Sequence, residues 1–390
     1  MLYQKKEGEE EEEEYSSSSS SDIACINQRR TCTIDGRFST ITPIFVCVIS
    51  YTETCEIPGI TVAGANPDLV KYTSAADSEF LYYGQCKCID KVPATPDGKP
   101  TPAIITRTAL QLADIPFLVV DAGSKIKPSI PYISFGVKPG KNIKFGKAVD
   151  LDDAKKAFDY GYILGKQLAK NNSDLIVLGE SIPGGTTTTL GFLYALGIDA
   201  KFKVSSSMPE NPHSLKNKII DEGMQNAGIL FGGLKDDPFK AISFLGDPMI
   251  PSIAGLADGI ISSGGRVMLA GGTQMSAVIA MLKSLQRSVD GLCIGTTSYI
   301  ASDESSNIVE LVKSISKDVA IYTSDLHMIK SSKSGLQAFA KGFVKEGVGA
   351  GGVAISAMLK SKGRIDGNIL LKAIEKEYEN AIEKKSMHYI

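Results

Sequence analysis

The chain lacks any long apolar run. The stretch from Ile44 to Ile49 is far shorter than the roughly 20 residues of a membrane helix, so no bilayer span is expected. It also lacks a dominant charge sign: 42 Lys and Arg stand against 44 Asp and Glu, a net charge of -2. Without a basic excess there is no global field for nucleic acid or anionic lipid, and any phosphate recognition must be local. Histidine is scarce, with only His213, His327 and His388, and of the 7 cysteines the closest pair is Cys86 and Cys88. A structural zinc site normally needs two such pairs or added histidines, so no metal is expected. With no signal segment ahead of them, the cysteines read as reduced thiols of a cytoplasmic protein.

What is present is a globular composition, 43% hydrophobic and 22% charged over 390 residues, which suits two or three compact units rather than a disordered or fibrous chain. Residues 1–40 carry an acidic run, Glu9 to Glu14, and a serine run, Ser16 to Ser21. Neither buries enough surface to offset ordering entropy, so a disordered low-complexity head is expected. Residues 41–147 begin with a strand over 43–50 and include another over 117–120. Pro and Gly punctuate the rest densely enough to argue against long helices.

After Asp150, a candidate helix cap, the texture changes. Strands are expected at 175–178, 228–231, 266–270, 292–295 and 319–322, separated by helices at 187–196, 252–263 and 274–286. Short apolar strands between helices imply a parallel sheet covered on both faces. The expected fold is therefore α/β, a doubly wound, Rossmann-like, three-layer parallel sheet. Residues 148–330 form its core, 41–147 a smaller accessory region that also feeds the sheet, and 331–390 C-terminal helices over 333–345, 353–362 and 366–384, the last capped by Asp366.

In such sheets ligands sit beyond the carboxyl ends of the strands. The loop Gly179-Glu180-Ser181-Ile182-Pro183-Gly184-Gly185-Thr186-Thr187 follows a strand and opens a helix, and its glycines and threonines suit a phosphate. It lacks the lysine of a P-loop. A carboxylate there, Glu180, would repel a phosphate unless it serves a cationic or proton-accepting role. Further candidate loops are Ser205 to Pro212, preceding Lys216 and Lys218, then Gly246-Asp247-Pro248, and then Leu269-Ala270-Gly271-Gly272-Thr273-Gln274. Gly347, Gly349 and Gly352 satisfy a dinucleotide spacing, but the preceding segment reads as helix rather than strand, which argues against that use. The same loop offers a second carboxylate, Glu346, at a helix entrance. Two glutamates among glycine-rich turns, with no metal set, suggest group transfer with proton abstraction.

The Gly179–Thr187 loop resembles the Gly-Glu-x-Gly-Ile-Gly-Asn-Thr-Thr loop of the nicotinate-nucleotide-dimethylbenzimidazole phosphoribosyltransferases, with Glu180, Gly184, Thr186 and Thr187 in register. Asp237-Pro238, Ile253-Ala254-Gly255, Val267 to Gly272 and Glu346-Gly347-x-Gly349-Ala350 resemble further segments of that family in the same order. Residues 41–147, with Thr52-Glu53-Thr54 and Ala63-Gly64-Ala65-Asn66-Pro67, are similar to its archaeal branch. The resemblance implies transfer of the 5-phosphoribosyl group from nicotinate mononucleotide to a benzimidazole-type base, as in cobalamin biosynthesis. It further implies no cofactor and a homodimer. Glu346 would be the general base and Glu180 would face the cationic sugar. Gly184, Gly185, Thr186, Thr187 and Lys218 would hold the phosphate, and Gly271, Gly272, Gly347 and Gly349 would shape the pocket. Ile182, Gly185 and Ala270 depart from the family's Gly, Asn and Asp in what the resemblance makes the donor pocket. A protein that keeps the pocket for binding without turnover is the alternative.

Overall fold

The computed structural model describes residues 22–26, 41–171 and 173–384. The Glu9–Glu14 and Ser16–Ser21 runs lie outside the described residues. The strands are β1 (Ile23–Cys25), β2 (Pro43–Ile49), β3 (Phe117–Asp121), β4 (Ile133–Ser134), β5 (Leu175–Ser181), β6 (Val267–Ala270), β7 (Leu292–Thr297) and β8 (Ala320–Ser324). They form an eight-stranded sheet in the order β1-β8-β7-β6-β5-β2-β3-β4. All pairs are parallel except β1 with β8.

The helices α1 (Thr73–Tyr83) and α2 (Ala103–Leu112) precede β3, and α3 (Leu151–Leu168) precedes β5. Between β5 and β6 run α4 (Gly185–Ala195), α5 (His213–Ala227), α6 (Pro238–Leu245) and α7 (Met249–Ile261). There follow α8 (Met275–Ser284), α9 (Ser298–Ala301), α10 (Ile308–Ile315), α11 (Ser334–Ala340), α12 (Ala350–Lys360) and α13 (Gly367–Tyr378).

The strands are apolar on both faces because both faces are covered. Val46, Val48, Ile176 and Leu178 point into one core, built with α3 to α10, while Phe45, Cys47, Ile49 and Val177 point into the other, built with α1, α2 and α11 to α13. This is the doubly wound α/β sheet that the sequence pattern implies. Gly255, part of a family-like segment, has a packing role: a Cβ there would lie 2.0 Å from the Phe158 carbonyl oxygen, so the glycine lets α7 cross α3 at backbone distance.

Several local expectations are corrected. Residues 22–26 are ordered as an edge strand rather than a disordered head, with Asp22 accepting a hydrogen bond from the Gly367 N–H. Two helices, α1 and α2, form inside the stretch expected to resist helix, because 73–83 and 103–112 contain neither Pro nor Gly. The 228–231 segment is no strand. Gly228 ends α5 in a left-handed conformation and Leu230 is exposed, with no strand among the described residues to pair with. The helix expected over 333–345 stops at Ala340, where Gly342 and Val344 take positive φ. Asp150 precedes α3 but makes no side-chain cap, binding Lys138 Nζ at 2.8 Å instead.

The order of strands decides where a ligand can sit. From β2 the chain moves outward through β3 and β4, then returns to β5 on the other flank of β2 and proceeds through β6, β7 and β8. Loops leaving the carboxyl ends of β2 and β5 therefore diverge, and a crevice opens between them.

Candidate active site

That crevice lies between walls drawn from the end of β5 and the turn after it, from the segments that follow β6 and β7, and from the 60–63, 93–102, 205–207 and 344–348 segments. Glu180 and Ser181 stand at the last two positions of β5. Successive strand residues point to opposite faces, so their side chains serve opposite sides of the sheet.

Glu180 is buried. Its Oε1 accepts from Gln274 Nε2 at 2.6 Å and its Oε2 from the Ile182 N–H at 2.9 Å. Burial pushes its carboxyl up to about 7 against those bonds, and the nearby Glu346 and Asp247 carboxylates push the same way.

Glu346 enters from the loop before α12. Its Oε2 accepts from the Thr297 N–H at 2.8 Å, and Gly347 and Gly351 N–H groups reach the carboxylate at 3.2 Å. Desolvation lifts it to about 7 even so. The loop is held against its own backbone preference: Val344 and Val348, both β-branched, take φ of 40° and 53°. Such conformations cost of the order of 1–3 kcal/mol each and persist where surroundings over-determine them. Here the Val344 N–H donates to Ser207 O and the Val348 N–H to Glu180 O, each at 2.9 Å, while Val348 O accepts from Thr106 Oγ1. Gly351 allows the approach of α12, because a Cβ there would sit 2.1 Å from the Thr296 carbonyl carbon. The glycine-rich run that mimics a dinucleotide motif therefore seats a helix on the ends of strands.

Glu180, Gly184, Gly185, Thr186, Gly272, Glu346 and Gly347 all border the crevice. Other candidates do not. Gly349 packs on the Phe45 ring, a Cβ at Gly271 would meet the Met275 side chain, and Thr187 lies buried behind Thr186 with its hydroxyl unpartnered. Ala270 is buried against Gly349 and Gly352 and does not line the crevice. Lys218 is the clearest correction. The buried stripe of α5 is Lys216, Ile219, Ile220, Gly223 and Met224, which turns Lys218 to solvent with its side chain 72% exposed. Lys216 takes the inward place instead. Its amine donates to Ser205 O at 2.6 Å and Asn211 Oδ1 at 3.0 Å, and burial, with repulsion from Lys345, brings it down to about 7. Lys345 pairs with Asp303 at 3.0 Å and donates to Met208 O. Two buried amines thus hold the loop whose Ser205, Ser206 and Ser207 face the crevice.

Asp247, from another candidate loop, caps α7 through the Met249 and Ile250 N–H groups and binds Thr188 Oγ1. Its role is to tie α4 to α7. Sequence reasoning did not single out Asp77, because the helix that carries it was not foreseen. It lies on α1, 2% exposed, bordering the crevice, and accepts from Thr101 Oγ1 and Ser181 Oγ at 2.7 Å each. Among the described residues no three His, Cys, Asp or Glu side chains gather as a metal-ligating group, and no helix is long and apolar enough to cross a membrane.

A family model described as phosphoribosyltransferase matches residues 103–304, just over half of the chain. The chain belongs to this phosphoribosyltransferase family. Among its relatives are the UPF0284 proteins of the archaea Archaeoglobus fulgidus, 45% identical over 87% of this chain and 94% of the relative, and Methanothermobacter thermautotrophicus, 44% identical over 81% and 88%. The UPF0284 protein of Pyrococcus furiosus is 41% identical over 87% of this chain and 99% of its own length. Two solved structures from Thermus thermophilus share the fold. A nicotinate-nucleotide-dimethylbenzimidazole phosphoribosyltransferase has a TM-score of 0.56 at 14% identity, over 89% of this chain and 86% of that one. A CobT has a TM-score of 0.55 at 16% identity, over 82% and 84%.

Within the family pattern, the departure at Gly185 has a structural counterpart. A Cβ at Gly185 would lie 2.3 Å from Gln274 Oε1, so Gln274 fills the space an asparagine would need and places its own amide on Glu180. The signal in the sequence was Gln274 itself, at the end of a candidate loop, read together with the missing Asn.

Proposed function

We propose that this phosphoribosyltransferase transfers the 5-phosphoribosyl group of nicotinate mononucleotide to an azole nitrogen of a benzimidazole-type base, giving an α-ribazole phosphate and nicotinate. One observation carries the reading: two desolvated carboxylates, Glu180 and Glu346, border the same crevice beside a glycine- and threonine-rich helix entrance. Both lie near neutrality, where a proton acceptor works best.

Glu346 takes the azole N–H proton, and the freed nitrogen lone pair attacks C1′ from the face opposite nicotinate. The C1′–N bond to nicotinate breaks with its electron pair going to the pyridine nitrogen, so the configuration at C1′ inverts. Glu180, itself buried, stabilises the positive charge that gathers on the sugar in between. The phosphate rests on Gly184, Gly185 and Thr186 at the first turn of α4, with the Ser205–Ser207 hydroxyls opposite and the Lys216 and Lys345 amines behind them. Gly272 and Gly347 keep the walls low where the ring must pass. The same reading includes a cytoplasmic homodimer that needs no cofactor.

The test is incubation with nicotinate mononucleotide and 5,6-dimethylbenzimidazole, with chromatography for nicotinate and the α-riboside phosphate. Both products are expected, and Glu346→Gln should slow their formation by about 10²–10⁴. Binding of both substrates without product would leave a binding protein and overturn the enzymatic reading.

A further inference from the structure

The crevice has a second polar edge, on the α1 side of the sheet, that neither proton transfer nor phosphate binding uses. Thr73 and Asp77 are four residues apart on α1 and so share a face, and both border the crevice. Asp77 receives one hydroxyl on each oxygen, from Thr101 and Ser181. A carboxylate offers about four lone-pair sites, so acceptor capacity remains on both oxygens. Among the described residues no lysine or arginine pairs with it. Thr73 Oγ1 is buried without a hydrogen-bond partner. A buried polar atom left in that state in a folded protein calls for a ligand or another explanation.

The surroundings define what could reach this edge. Pro93, Pro100, Pro102 and Val348 border the same crevice, giving it flat apolar walls suited to an aromatic ring. Pro102 also lies beside Gly347, next to the Glu346 carboxylate, while its neighbour Thr101 binds Asp77. A planar base lying along Pro102 therefore meets Glu346 toward one edge and Asp77 with Thr73 toward another.

We propose that Asp77 and Thr73 read a hydrogen-bond donor on the acceptor base, so that the preferred acceptor is a heteroaromatic base with an amino or hydroxyl group on the edge away from its attacking nitrogen. The inference rests on the phosphoribosyl-transfer reading above and narrows its acceptor. Asp77 accepts from the substituent and Thr73 completes the contact. A ring bearing only methyl groups there leaves both groups buried and unsatisfied. Sites built around such a hydrogen bond reject the analogue lacking it, by up to about 10⁴–10⁵-fold in the strongest cases.

The experiment compares 5-aminobenzimidazole with 5-methylbenzimidazole, which match in size and differ in the donor. The ratio of their kcat/KM values is measured on the wild-type protein, Asp77→Asn and Thr73→Val, with nicotinate mononucleotide as donor. Because the ratio is internal to each variant, partial loss of folded protein cancels, and Thr73→Val serves if Asp77→Asn does not fold. A wild-type preference for the amine of at least about tenfold, collapsing toward unity in the variants, is the expected result. A wild-type ratio near one, or a preference that survives both substitutions, overturns the inference while leaving phosphoribosyl transfer intact. If neither base releases nicotinate, the transfer reading itself fails. The ratio of dissociation constants for the two bases, measured by calorimetry on the same three proteins, then decides the role of Asp77 and Thr73 by the same criteria.

Discussion

Gln274 donates its side-chain amide to Glu180 at 2.6 Å, from the loop after β6 to the carboxyl end of the adjacent strand β5. The carboxylate that would face the reacting sugar is thus held from a segment 94 residues away.

The bond to Gln274 lowers the pKa of Glu180, opposing the larger upward push of burial that leaves it at about 7. Gln274→Leu removes the donor, so the carboxyl must rise further and be less ionised at neutral pH. The acidic limb of kcat/KM for nicotinate release is expected to move to higher pH. A limb in its original position would separate Gln274 from the ionisation of Glu180.

Gly185 and Gln274 compete for one volume, since a Cβ at 185 would lie 2.3 Å from Gln274 Oε1. Gly185→Asn alone is expected to displace Gln274 and lower turnover about tenfold or more, the scale of a lost hydrogen bond to a charged group. In Gly185→Asn with Gln274→Gly the introduced amide has room, and part of the loss should return. Additive losses in this double-mutant cycle would contradict the shared space.

Glu180 and Glu346 at about 7, and Asp77 and Asp247 at about 6, all lie above their unfolded values of about 4. Between those values the folded protein binds more protons than the unfolded chain. Stability from these groups is therefore complete below the unfolded pKa and is lost as pH rises through the folded pKa. In the ligand-free protein, Glu180→Gln should raise Tm by about 1–3 °C at about pH 8 and give less advantage at about pH 5. Thermal melts at the two pH values check this, and a gain that is equal at both would contradict it.

Gly351→Ala places a methyl group 2.1 Å from the Thr296 carbonyl carbon and 2.3 Å from the Thr297 nitrogen, both backbone atoms that cannot swing aside. The overpacking should cost about 1–3 kcal/mol, read as a lower Tm. Activity should fall beyond what lost folded protein explains, because the Gly351 N–H also holds Glu346. An unchanged pH profile at reduced Tm would confine the glycine to packing.

How much of this was legible depended on how local each signal is. The strands at 43–49, 175–181, 267–270, 292–297 and 320–324 are apolar runs bounded by turns, and their neighbours in sequence suffice to recognise them. The helices α1 and α2 were hidden because Pro and Gly crowd the segments around them, although neither residue falls inside them. Lys218 and Lys216 differ by two positions on one helix, and only the register of α5 against its neighbours shows which faces inward. Glu346 and Glu180 were each visible as a carboxylate in a glycine-rich turn. That they share a crevice follows from the order in which β5 and β7 join the sheet.

Apolar periodicity and turn chemistry act within a few residues, so the residues alone carried the alternation of strand and helix, the doubly wound class and the two glycine-rich turns with their glutamates. Tertiary structure alone decided which side chains meet. It set Gln274 on Glu180, Gly351 under Thr296, and Ser181 on Asp77. Those meetings join segments far apart in the chain, and burial, rather than residue type, is what lifts four ordinary carboxyl groups toward neutral pH.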